Sequence, residues 1–131
     1  MAIEEALRAL LLADSDLTAL VEERVYPQQT PELGKLPAIS YFRVSTPREY
    51  TYDAPASETL AHPRFQFDCK ANDYPTARET AAALYSALSG YAGTIDDVTI
   101  QACFERDSRD EYDQDSKIWM VQKDFEVFHL E

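Results

Sequence analysis

Between His62 and Gly90 the hydrophobic period of the chain changes from two residues to about 3.6, and no other stretch limits its folding so tightly. Arg64, Gln66, Asp68 and Lys70 alternate with Phe65, Phe67, Cys69 and Ala71, which predicts a strand with one charged and one apolar face. Asn72 and Asp73 supply a turn, and Pro75 falls in the first turn of the next helix, where its missing N–H costs no hydrogen bond. Ala77, Ala81, Leu84 and Leu88 then recur at helical spacing, and Gly90 stands where a left-handed cap is wanted. The strand's apolar face and the helix's apolar stripe bury only against each other, so the unit has two layers and one side of its sheet is wet.

The flanking segments extend this unit. Ile3, Leu7, Leu10 and Leu11 share one helical face, and Glu4 and Glu5 suit the positive end of that helix's dipole. Asp14, Ser15 and Asp16 offer capping oxygens to a second, short helix with Leu17, Leu20 and Val21, which Pro27 ends at the latest. The stretch from Gln28 to Lys35 holds Pro31 and Gly34 and reads as a loop. A strand over about Ala38–Ser45 comes next, and its pattern leaves open which face is inward. Thr46 to Ala61 is long and poor in aliphatics, and it reads equally as a functional arm or as an extended hairpin tip. Asp97 to Glu105 alternates Val98, Ile100, Ala102 and Phe104 with polar partners, among them Thr99, Gln101, Cys103 and Glu105. An acidic tip, Asp107 to Asp115, leads into a last strand of about Lys117 to His129, with Trp119, Val121, Phe125 and Val127 on one side. The order α-α-β-β-α-β-β predicts an α+β fold over residues 1–131, one domain, with a four-stranded, mostly antiparallel sheet carrying its helices on one face. Gln66, Asp68, Gln101, Gln122 and Asp124 would line the other face.

Charge and chemistry narrow the function by exclusion. Twelve Lys and Arg face 24 Asp and Glu, a net charge of −12 that argues against a nucleic-acid-binding surface. The alternation places Cys69 inward and Cys103 outward, so no disulfide is expected between them. No run approaches the 18 apolar residues of a membrane span, and the acids Glu4 and Glu5 stand where a signal peptide has bases, consistent with a soluble protein of a reducing compartment. The histidines, His62 and His129, lie in no catalytic motif and read as structural. The thiols form no zinc or redox motif. The acidic tip lacks the central Gly and terminal Glu of a calcium loop. The three glycines are not spaced as a phosphate loop. These observations point away from an enzyme and from any cofactor or metal. What remains is aromatic: Tyr50 and Tyr52 in the long loop and Tyr112 in the acidic tip, with Arg109 and Asp110 beside it, are candidate contacts to another subunit or a partner, or else cover their own core.

The chain resembles a known family at several points in a fixed order. They are Glu4-Glu5-Ala6-Leu7 with Leu10, Leu17-Thr18-Ala19-Leu20-Val21, Arg24 with Val25-Tyr26-Pro27, and Leu36-Pro37-Ala38-Ile39. Arg64-Phe65-Gln66-Phe67-Asp68, Tyr74 with Ala77 and Leu84, and Asp124-Phe125-Glu126-Val127 complete the set. In these pieces the sequence is similar to the tail completion, or tail terminator, proteins of long-tailed bacteriophages and gene transfer particles, which also carry the head-tail joining label. It departs at Glu23, where the family tends to have Gly, and matches poorly over Thr46–Ala61.

The resemblance implies a virion structural protein, assembled in the host cytoplasm. Such proteins form a ring, usually a hexamer, on the head-proximal end of the tail tube, stop its polymerisation and meet the head connector or stopper. DNA passes through the lumen without specific binding, and an anionic lumen would repel it. The partners implied are further copies of the chain, the tube protein and the connector, with no membrane. A non-enzymatic α+β adaptor or small-ligand binding module, using the wet sheet face, is the alternative.

Overall fold

The computed structural model describes residues 2–27, 35–46, 48–49 and 60–130. Among them the order is α1 (Ile3–Leu12), α2 (Ser15–Val21), β1 (Val25–Pro27), β2 (Ala38–Ser45), β3 (Arg48–Glu49), β4 (Leu60–Ala61), β5 (Arg64–Ala71), α3 (Tyr74–Leu88), β6 (Gly93–Ile95), β7 (Val98–Asp113) and β8 (Ile118–Leu130). The fold is α+β, as the run of elements predicts, but the sheet is larger than the four strands expected and its order differs. β3 pairs with β4 just beyond the pairing of β2 with β5, so these four segments form one long interrupted hairpin. β8 lies at the centre, pairing antiparallel with β5 and β4 on one side and with β7 on the other. Two short edge strands close the ends: β1, parallel to β2, and β6, antiparallel to the start of β7. Segments of three residues carry no period of their own and form only because a neighbour presents a ladder, so the sequence pattern misses them.

The helices lie on one side of this sheet. α1 contacts β1 and β6, and α3 crosses β5, β8 and β7. Asp73 caps α3 by accepting from the Thr76 N–H at 2.8 Å, and Asp14 caps α2 through Leu17 at 2.9 Å. Ala77, Ala81, Leu84 and Leu88 of α3 are fully buried against Phe65, Phe67, Cys69 and Ala71, the pairing of stripe and strand that the sequence dictates. β2 turns Ile39 and Tyr41 to this core. The Tyr41 ring stacks on Phe67 at 5.4 Å while its hydroxyl donates to the Glu4 carbonyl at 2.7 Å, tying α1 to the sheet. Burial pushes the Tyr41 phenol up to about 12. Gly90 has φ 75° and gives its N–H to the Cys103 carbonyl at 2.9 Å, which brings the chain off α3 and onto β7.

The β7 strand departs most from the sequence reading. It continues past Glu105 to Asp113, so the acidic stretch is strand, with a short turn after it, rather than a tip. Two bulges, after Ile100 and after Glu105, each insert one residue and exchange the faces of the residues beyond them. The first turns Cys103 into the core and sends Phe104 out, where it is 45% exposed, the reverse of the strict alternation expected. Both cysteines are therefore inward and free. Cys69 pairs with Val121 and Cys103 with Val127, six positions apart along β8 or roughly 20 Å, too far for a disulfide.

Candidate assembly surfaces

The side of the sheet away from the helices carries paired charge. Register sets Gln66 beside Asp124 and Asp124 beside Asp107 across three strands, with Asp68, Gln122 and Arg109 in the next row. Asp124 is 6% exposed and receives Arg64 at 3.1 Å and Arg109 at 3.5 Å, and Arg109 also binds Asp107. Glu126 accepts from the Arg106 Nε at 2.8 Å and shares a 2.8 Å hydrogen bond with His62 Nδ1, whose ring stacks on Phe128 at 5.1 Å. Burial alone would raise the Glu126 carboxyl; the bonds from His62 and Arg106 outweigh it and hold the group below its ordinary value. Burial dominates at Asp68 and raises it, although Gln66 donates to that carboxylate at 2.9 Å.

Three arginines thus answer Asp107, Asp124 and Glu126, while Asp68 is met by Gln66 and has Glu111 as a like-charged neighbour. Further acids lie on and beside α1 and α2: Glu4, Glu5, Asp14, Asp16, Glu22 and Glu23. The alternation of Arg64, Gln66, Asp68 and of Gln122, Asp124, Glu126 already marks the wet face. Their ion pairs depend on cross-strand register, which the pattern does not contain.

The hairpin brings the candidate contact residues to two different faces. Arg109 lies on the open face with Asp124. Asp110 lies on the helix side, accepting from the Tyr74 hydroxyl at 2.7 Å and pairing with Arg78 at 3.1 Å. Tyr112, also on the helix side and 41% exposed, packs its ring 4.5 Å from that of Trp119. So the hairpin is fastened to α3 and to the sheet face along its length rather than projecting bare. Tyr50 and Tyr52 lie outside the described residues, as does most of the Thr46–Ala61 stretch.

Sequence reasoning passes over Lys123. It stands on the apolar side of β8 with its side chain 8% exposed, between Glu105 at 3.1 Å and the Ser108 hydroxyl at 3.2 Å, with its ammonium 5.4 Å from the centre of the Tyr85 ring. A lysine at an apolar position of Trp119-x-Val121-x-Lys123-x-Phe125 is the signal that could have found it. Arg24, one of the residues that carry the family resemblance, clamps the α2 terminus: it donates to the Leu20 and Pro37 carbonyls at 3.2 and 2.9 Å. Glu22 ends α2 with φ 56°, a conformation that favours glycine, one residue before the position where the family tends to have it.

Among the described residues no group of three or more His, Cys, Asp or Glu is placed to hold a metal, and no helix is long and apolar enough to cross a membrane. The fold is thus a small α+β arrangement with helices on one face of the sheet, ion pairs on the other and a long strand at the margin. The model of the family described as tail completion protein gp17 matches residues 5–130, and the chain belongs to that family, whose members are structural components of the tailed virion. No curated protein matches it. In three dimensions it is similar to a chain from a structure titled "Virion of native gene transfer agent (GTA) particle", with TM-score 0.68 and 20% identity over 99% of this chain and 96% of that one.

Proposed function

We propose that the protein closes into a ring, a hexamer, on the head-proximal end of a tail tube, stops tube growth and joins the tail to the head connector. The observation that carries this reading is the family match over residues 5–130. The likeness to a chain of a gene transfer agent virion supports a particle role for the shared fold. Its role is to form and present surfaces, not to catalyse.

A ring needs two different patches on each subunit that meet through a rotation that closes. The long hairpin, with Arg109, Asp110 and Tyr112, is one patch, and the segment carrying Tyr50 and Tyr52 is the other. A net charge of −12 suits a lumen through which DNA passes without adhering. The test is electron microscopy of particles from a producer lacking this gene. Overlong tails and heads without tails support the reading; tails of normal length joined to heads refute it.

A further inference from the structure

The margin of the sheet along β7 is open. β8 covers one side of this strand from Ile100 to Asp113, and β6 covers the other only from Val98 to Ile100. The Cys103 carbonyl is taken by Gly90. From Phe104 to Asp113 the outer edge meets no strand among the described residues.

Register identifies which backbone groups face outward. The Val127 N–H bonds to the Pro63 carbonyl at 2.9 Å, away from β7, and alternation along β8 sends the amides of Phe125, Lys123, Val121 and Trp119 the same way. Their β7 partners Glu105, Ser108, Asp110 and Tyr112 therefore turn N–H and C=O outward. The Ser108 N–H is taken by the neighbouring Asp107 carboxylate at 2.9 Å, as an outward amide would be. Beside this edge, between β7 and α3, run two adjoining hollows of about 440 and 430 Å³ that share Tyr85 and Glu105, so a strand laid there meets space, not a covering element.

Charge selects the occupant. From Phe104 to Asp113 five acidic side chains, Glu105, Asp107, Asp110, Glu111 and Asp113, stand against Arg106 and Arg109. Lys123 and Arg78 answer Glu105 and Asp110 from the helix side, so the unanswered charge of the edge is that of Glu111 and Asp113. Both arginines are drawn back over the open sheet face, by Glu126 and by Asp107 with Asp124. A second copy of the same edge would bring acids against acids, a repulsion of the kind that keeps natural edges from pairing with themselves. A lysine- or arginine-bearing strand meets the reverse. We propose that the edge from Phe104 to Asp113 takes up an extended, cationic segment of a partner protein as an added strand, held by main-chain hydrogen bonds and sorted by charge. This edge shares Asp110 and Tyr112 with the hairpin patch assigned above to the ring, and peptide binding to it is read on the purified chain whether or not a ring forms.

The test uses the full chain and a labelled peptide of about ten residues alternating lysine and valine, with an alternating glutamate and valine peptide as control. Fluorescence anisotropy gives the affinity, and hydrogen exchange locates the site. The expected result is binding of the lysine peptide, slowed exchange at the Asp110 and Tyr112 amides, and no binding of the glutamate peptide. Asp110→Ala removes a carboxylate but keeps the N–H; Asp110→Pro removes both. The proline variant should bind about tenfold more weakly than the alanine variant, with the same thermal midpoint. Should the proline variant not fold, Glu111→Lys with Asp113→Lys serves in its place, weakening the lysine peptide about tenfold and admitting the glutamate peptide. Equal binding by the alanine and proline variants, protection confined to other elements, or no binding at all overturns the proposal and leaves the edge merely guarded by its charges.

Discussion

Lys123 and Glu105 form a pair whose two halves should not be worth the same. The ammonium is almost wholly withdrawn from water, held by Glu105, Ser108 and the face of Tyr85, whereas the Glu105 side chain keeps 20% exposure. Removing the carboxylate strands a buried cation, which in a dry pair costs about 3–5 kcal/mol. Water reaching Glu105 reduces this to about 2 kcal/mol for Glu105→Ala. Removing the cation instead, as in Lys123→Met, ends the desolvation penalty and keeps the aliphatic stem packed on Tyr85, so the change should lie within about 1 kcal/mol of zero. The double variant should behave as Lys123→Met alone, a coupling of about 1.5–2 kcal/mol. Urea unfolding of the four proteins measures this, with unchanged m values as the sign that only stability moved. For a chain of this size the Glu105 variant should lose roughly 5–10 °C of thermal midpoint, at about 3–5 °C per kcal/mol. A Glu105→Ala cost below about 0.5 kcal/mol, or a Lys123→Met cost above that of Glu105→Ala, refutes the placement of a buried charge between Glu105 and Tyr85.

Three further outcomes rest on single features. Asp68 is raised by burial, so the folded state holds its proton more tightly than the unfolded chain, and stability falls as pH rises through the window between the ordinary and the raised value. Asp68→Asn should then be more stable than the parent at pH 7 and equal to it below the ordinary value, which urea unfolding across pH checks. Glu22→Gly should gain about 1 kcal/mol by relieving a left-handed backbone at the end of α2, read as a higher thermal midpoint, and a loss would show that the exposed Glu22–Arg24 pair outweighs the strain. Burial pushes the Cys69 and Cys103 thiols up to about 12, so the native protein should resist a disulfide-exchange reagent at pH 8 while the unfolded protein titrates two thiols; rapid reaction of the native state would contradict their burial.

How far the fold can be read from sequence depends on which interactions shape each element. α1, α2, α3, β2, β5 and β8 declare themselves because each satisfies its own period and caps: Asp14 and Asp73 cap helices, and the Phe65 to Ala71 alternation survives intact. β1 and β6 are three residues each and are held by parallel or antiparallel neighbours, so their pattern is silent. The β7 bulges are costlier to miss, since Gln101 and Arg106 each exchange faces and misplace Cys103 and Phe104. Beyond Glu105 the strand is polar on both faces, and only pairing with β8 reveals it as strand. The candidate contacts suffer the same way. Arg109, Asp110 and Tyr112 lie close in sequence, yet the pleat divides them between the two faces, and their partners Asp124, Arg78 and Trp119 come from elsewhere in the chain.

The claim on which the functional account rests is self-assembly, and native mass spectrometry of the purified protein, alone and with tube ends present, tests it most directly. The account predicts a closed species of six subunits of 14.9 kDa each, seen as a ring by electron microscopy. A monomer that persists both alone and in the presence of tube ends would contradict it.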